Sequence, residues 1–256
     1  MNDELQRAAR TALACLDLTS LNEADTEADI AQLCARAVGP QGAVAAVCVW
    51  PRLAAFARAQ VPAAVGVAAV ANFPDGSTDT ARAVRETQAI VAAGAQEVDV
   101  VLPWRALAAG DETACAELLA VVRRACKGRV LKVILESGEL REPALIRRAS
   151  ELALAAGADF LKTSTGKTAT GATLDAARVM LQAIADDPRA RARAGFKASG
   201  GIRTVADAQP YLALVAQILG AEALAPARFR IGASSLLGDI DAILSGSARP
   251  AAGSGY

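Results

Sequence analysis

The chain has 256 residues, 53% of them hydrophobic, with 27 basic against 27 acidic side chains and a formal net charge of +0. That length and apolar content suit a large α/β domain with a substantial core and exclude fibrous and disordered classes. Balanced charge gives no global field toward nucleic acid or an anionic membrane, and the complete lack of histidine removes imidazole triads and the usual His-containing zinc sites.

The opening stretch, "MNDELQRAARTALACLDLT", has no apolar core between a basic head and a cleavage site, so no signal peptide is expected. Apolar runs such as "VPAAVGVAAVANFP" fall short of the roughly 20 residues that span a bilayer. Cys15, Cys34, Cys48, Cys115 and Cys126 are odd in number and not closely paired, which fits small buried hydrophobes in a reducing compartment. These features predict a soluble, cytoplasmic protein.

Short apolar runs then recur along the chain, each followed by an amphipathic stretch of helical period. Strands are expected near 12–19, 43–50, 64–72, 97–103, 129–137, 158–164, 194–199 and 228–234. The segments between them, such as "DTARAVRETQAIVAAGA" and "EPALIRRASELALAAGA", are rich in helix formers and end at glycine. Thr26 followed three residues later by Asp29 reads as a capping box after the first strand. After the third strand, Asp75-Gly76 reads as a turn, with Ser77 or Thr78 placed to cap the next helix. Eight strand–helix alternations in about 250 residues predict a (β/α)8 TIM barrel rather than a doubly wound sheet, and no dinucleotide-binding glycine fingerprint follows the first strand. The barrel is assigned to residues 1–244, and the Gly, Ser, Ala and Pro mixture at 245–256 to a flexible tail.

Such barrels place their chemistry at the C-terminal ends of the strands. Lysine is scarce here: only Lys127, Lys132, Lys162, Lys167 and Lys197 occur, every other basic residue being arginine, and three of the five fall in or just after strands six and seven. An arginine cannot be deprotonated in a protein, whereas a lysine can be tuned to a neutral amine. Strand alternation points Asp99, Lys132, Glu136, Lys162 and Lys197 into the barrel centre. Charges there are costly unless paired, so a lattice of amines and carboxylates is expected, and such a lattice serves structure as readily as chemistry. The chemical option is specific. A second ammonium at Lys197, or burial, can depress the pKa of Lys162, and the resulting neutral amine forms a Schiff base with an aldehyde or ketone.

Three glycine-bearing turns follow strands six to eight: Gly166-Lys167, Gly200-Gly201-Ile202-Arg203 and Gly232-Ala233-Ser234-Ser235. Backbone amides there suit a phosphate, which barrels often hold with their last two loops. Cys48, at the end of strand two, reads first as a small buried side chain.

Together "EVDVVLPWRAL", "LKVILESGEL", "ADFLKTSTGK", "GFKASGGIRT" and "IGASSLL" resemble the deoxyribose-phosphate aldolase family, class I Schiff-base enzymes on this barrel. The likeness runs from "LDLTSLNEADT" to the final tyrosine. It implies reversible cleavage of 2-deoxy-D-ribose 5-phosphate to D-glyceraldehyde 3-phosphate and acetaldehyde, with no cofactor or metal. It makes Lys162 the Schiff-base lysine, Lys197 the neighbour that lowers its pKa, and Asp99 an acid–base group working through water. Lys167, Gly200, Gly201, Arg203, Gly232, Ser234 and Ser235 become phosphate contacts, with Gly166 in the same turn as Lys167. Asp17, Thr19, Cys48, Lys132 and Thr165 line the pocket. Tyr256 is placed to fold over the mouth and exchange a proton, or is simply a frayed end. The partners implied are small phosphorylated sugars and aldehydes, and a homodimer is the expected assembly. Another lysine-dependent aldolase, or a non-catalytic sugar-phosphate-binding barrel, uses the same residue types and stays open at this point.

Overall fold

The computed structural model describes residues 3–247. Eight parallel strands close into a barrel: β1 (Leu16–Thr19), β2 (Ala46–Val49), β3 (Gly66–Ala71), β4 (Glu97–Val101), β5 (Val130–Ile134), β6 (Phe160–Lys162), β7 (Gly195–Ser199) and β8 (Phe229–Ala233). Each pairs with its neighbours in sequence, and β1 pairs with β8 through Leu16↔Ile231 and Asp17↔Gly232. Closure leaves no barrel edge to manage. The expected (β/α)8 architecture is the one found.

Side-chain alternation divides every strand between two environments. Outward residues such as Leu16, Leu18, Val47, Val98, Val100, Leu131, Val133, Leu161 and Phe196 join one continuous core with the surrounding helices. Inward residues differ around the ring. Cys48, Ala68, Val70, Val101 and Ile134 form a small apolar cluster with Leu21 and Phe73. The remaining arc is ionic, with Asp17, Glu97, Asp99, Lys132, Lys162, Lys197 and Arg230 all buried.

The outer helices are α1 (Asp3–Ala14), α2 (Glu27–Arg36), α3 (Ala54–Gln60), α4 (Thr80–Ala92), α5 (Glu112–Ala125), α6 (Pro143–Ala155), α7 (Leu174–Asp186), α8 (Val205–Leu219) and α9 (Leu236–Ser245). The capping box at Thr26 is present, with Asp29 returning a bond to the Thr26 backbone, and Thr204 with Asp207 forms a second one on α8. No helix among the described residues is long and apolar enough to cross a membrane.

In strand starts and helix caps the structure departs from the sequence reading at three places. The first strand begins at Leu16, not residue 12, because α1 runs through Ala14 and buries Ala8, Ala9, Ala12 and Leu13. The second begins at Ala46, since Gly42–Ala43 pairs antiparallel with Val38–Gly39 across Pro40. The cap of α4 is Asp79, whose carboxylate accepts from Arg82 N; Ser77 instead donates its hydroxyl to Asn72 Oδ1 at 2.9 Å.

Candidate active site

β6 stops at Lys162, so its amine stands where the ladder gives way to the loops at the C-terminal end of the barrel. The side chain is 3% exposed and lines a cleft with Thr19, Thr165, Gly166, Gly200, Gly201, Gly232 and Ser234, all expected there. Ile202 and Ala233, from the two expected glycine turns, and Leu21 and Ser199, which were not singled out from sequence, complete that lining.

Asp17, Asp99, Lys132 and Lys197 lie fully buried beneath. Asp99 Oδ2 accepts from both Lys162 Nζ and Lys197 Nζ at 2.8 Å, while its Oδ1 accepts from Lys132 Nζ at 2.9 Å. Lys197 also donates to Asp17 Oδ2 at 2.5 Å. Below this layer Arg230 donates to Asp17 Oδ1 at 2.6 Å and grips Glu97 at 2.8 and 3.2 Å, and Lys132 bonds the same Glu97. Three carboxylates therefore face four cations in one connected lattice.

The two lysines meet opposite fates in it. Burial pushes the Lys162 ammonium below the ordinary lysine range; the Lys197 charge works in the same direction, and Asp99 opposes them. Burial also acts to depress Lys197, but Asp17 and Asp99 outweigh it and raise that group. Asp99 is itself held well below the usual carboxylate range: desolvation acts against ionisation, and Lys132, Lys162 and Lys197 overcome it. Burial is thus the main cause at Lys162, Asp99 the next largest influence and opposed to it, and the neighbouring ammonium smaller than either, an order that sequence alone does not reveal.

Glu136 does not join the lattice as expected. The β5 ladder ends at Ile134, and Glu136 sits at φ 56°, where strand alternation no longer applies. Its carboxylate accepts from Thr165 Oγ1 at 2.6 Å and from Thr168 Oγ1 at 3.3 Å, bracing the loop after Lys162. Arg230 takes a place in the lattice that sequence reading missed. The signal was there, since Arg230 is in register with Lys197 and alternates with the outward Phe229 and Ile231.

The three glycine-bearing turns sit around the cleft. Gly200 and Gly201 have φ of 88° and 86°, a region that disfavours any side chain. Gly200 is crossed so closely by Gly171 that a Cβ on Gly171 would lie 2.5 Å from the Gly200 carbonyl oxygen. Ser235 begins α9 without a side-chain cap bond, and the Gly238 amide turns back to the Ser235 carbonyl at 3.2 Å. Lys167 and Arg203 are exposed, next in sequence to the cleft-lining Gly166 and Ile202. Gly232 leaves room for Lys197: a Cβ there would stand 3.0 Å from Lys197 Cε. Cys48 is buried in the apolar arc, where burial raises its thiol pKa. Tyr256 lies outside the described residues, as does most of the segment assigned to a tail.

A profile of the family described as DeoC/LacD family aldolase matches residues 11–239. The chain belongs to this family. It is an aldolase. A curated deoxyribose-phosphate aldolase from Agrobacterium fabrum (strain C58 / ATCC 33970) is 51% identical over 262 residues, covering 100% of both chains. Among solved structures, a protein from Toxoplasma gondii ME49 provisionally named deoxyribose-phosphate aldolase superposes with a TM-score of 0.86 at 27% identity, covering 95% of this chain and 96% of that one. One from Coccidioides immitis, named in the same provisional way, gives 0.79 at 30% identity over 91% and 87%.

Proposed function

We propose that this aldolase reversibly cleaves 2-deoxy-D-ribose 5-phosphate to D-glyceraldehyde 3-phosphate and acetaldehyde through a Schiff base on Lys162. The observation that carries the reading is a buried amine at the base of the cleft, pushed toward its neutral form, beside an ammonium held in its charged form. The full-length relative at 51% identity supports the choice of substrate.

In the cleavage direction neutral Lys162 adds to the substrate aldehyde, and loss of water from the carbinolamine gives an iminium. Removal of the C3 hydroxyl proton then breaks the C2–C3 bond, and its electron pair moves into the iminium to form an enamine. Glyceraldehyde 3-phosphate leaves. The enamine carbon takes a proton, and water hydrolyses the new iminium to acetaldehyde and free lysine. Asp99, bonded to Lys162 at 2.8 Å, is assigned the proton exchanges at nitrogen, relayed by water. Lys197 supplies fixed positive charge. The apolar arc of Cys48, Val70 and Phe73 suits the methyl of the two-carbon donor. Gly200, Gly201, Gly232, Ser234 and Ser235, with Lys167 and Arg203 nearby, suit the phosphate.

Borohydride reduction in the presence of acetaldehyde, followed by peptide mapping, tests the reading. One ethyl group on Lys162 is expected. No adduct, or adduct formation with a ketone donor only, refutes it. The five cysteines are free and buried, which supports a reducing, cytoplasmic location. A homodimer remains the assembly we infer, and sedimentation at working concentration decides it.

A further inference from the structure

The lattice beneath Lys162 holds an even count, which the Lys162 ammonium would upset. Asp17 from β1, Glu97 and Asp99 from β4 supply three negative charges; Lys132 from β5, Lys197 from β7 and Arg230 from β8 supply three positive ones before Lys162 is counted. The other sides facing Lys162 add one carboxylate, that of Glu136. β2 contributes the Cys48 thiol, raised by burial, β3 contributes Ala68 and Val70, and Glu136 spends its carboxylate on the Thr165 and Thr168 hydroxyls. The lattice itself, leaving Glu136 aside, is balanced when Lys162 is neutral and carries one excess positive charge when it is protonated.

Arg230 is the member with no substrate to meet. It is 7% exposed, two residues before the cleft-lining Gly232 and so one layer deeper. Its guanidinium clamps Glu97 with two nitrogens, bonds Asp17, and stands 5.6 Å over the Phe160 ring. Its charge is permanent. A lysine tuned for Schiff-base chemistry needs a neighbourhood whose sum does not follow pH, and a buried arginine provides that.

We propose that Arg230 and Glu97 are a positioning pair for the aldol reaction, setting from one layer below the charge balance against which Lys162 holds or sheds its proton. The inference rests on Lys162 being the Schiff-base residue. It predicts opposite effects from two neighbouring substitutions. Arg230→Met removes a positive charge, so the ammonium of Lys162 is less disfavoured and the acid limb of kcat/KM moves to higher pH. Glu97→Gln removes a negative charge and moves the limb to lower pH. Each shift is about one pH unit, the size for a unit charge two strands, about 10 Å, away at an effective dielectric near 20.

The test is the pH dependence of kcat/KM and of borohydride trapping with acetaldehyde, on the full chain and its folded variants. Opposed shifts, a limb near the wild-type position in the Arg230→Met/Glu97→Gln double variant, and an unmoved limb in Arg230→Lys are expected. A merely structural pair gives variants of lower stability or lower kcat with the limb unmoved, and no rescue in the double variant; that result overturns the proposal. If Arg230→Met does not fold, Glu97→Gln and Arg230→Lys decide it, an unmoved limb in the former overturning it. An adduct on Lys162 with unmoved limbs sinks only the role of the pair, whereas no adduct on the wild-type chain sinks the Schiff-base reading as well.

Discussion

Lys162 and Lys197 share one carboxylate oxygen, yet one is pushed toward the neutral form and the other held charged, because only Lys197 has Asp17 as a second partner at 2.5 Å. Lys162→Met removes the proposed nucleophile while keeping an apolar stem of similar length. Cleavage activity should fall about 10⁴-fold or more, the scale of nucleophile deletions elsewhere, with the fold retained by circular dichroism. Deletion of Tyr256 should slow deuterium exchange at the acetaldehyde methyl while leaving the trapped adduct intact; unchanged exchange removes that residue from the mechanism. At this scale the scarcity of lysine made the buried amine lining the cleft legible, since each lysine had to be explained. Arg230 was hidden for the converse reason, being one arginine among many. Glu136 was misplaced because the alternation rule was carried two residues past the end of β5, through a backbone turn at φ 56°.

Strand and helix elements were readable wherever a period ran long enough, and all eight barrel strands lie within their expected segments. The errors gathered at ends. α1 and the first strand share an apolar boundary at residues 12–16, where composition does not distinguish a buried helix turn from a strand start. The loop after β6 was recognised by its glycine and lysine, but its crossing with the loop after β7 involves Gly171 and Gly200, distant in sequence, and no local pattern announces it. Gly171→Ala should therefore force the two loops apart. The expected result is a KM for deoxyribose phosphate raised about tenfold, equivalent to about 1.4 kcal/mol, with trapping by acetaldehyde alone unaffected. Equal losses in both assays would place the damage at Lys162 instead.

For the whole molecule the lattice is a stake across the barrel, joining β1, β4, β5, β6, β7 and β8 through buried ion pairs. Breaking one partner of such a set leaves an uncompensated buried charge, so Asp17→Asn should cost about 3–5 kcal/mol in urea unfolding. The pH dependence follows from the same groups. Asp17 and Asp99 have folded pKa values depressed below 3.8, so their contribution is complete above the carboxylate range and is lost as pH falls below about 4. Lys197 is raised, so its share is complete below about 10.5 and is lost only as pH rises through its folded value. Unfolding midpoints measured from pH 6 down to pH 2 should decline, and Asp17→Asn should flatten that decline. The barrel itself was legible from eight repeats of one pattern, but the net charge of its interior was not, because it depends on which arginine closes the ring. One further property concerns where β6 ends. Since β6 ends at the residue proposed to react, the proposed covalent step is anchored in the barrel ladder while the glycine turns proposed to hold the phosphate hang above it. Those segments can be exchanged by evolution or by a protein engineer to admit new acceptors without dismantling the warhead.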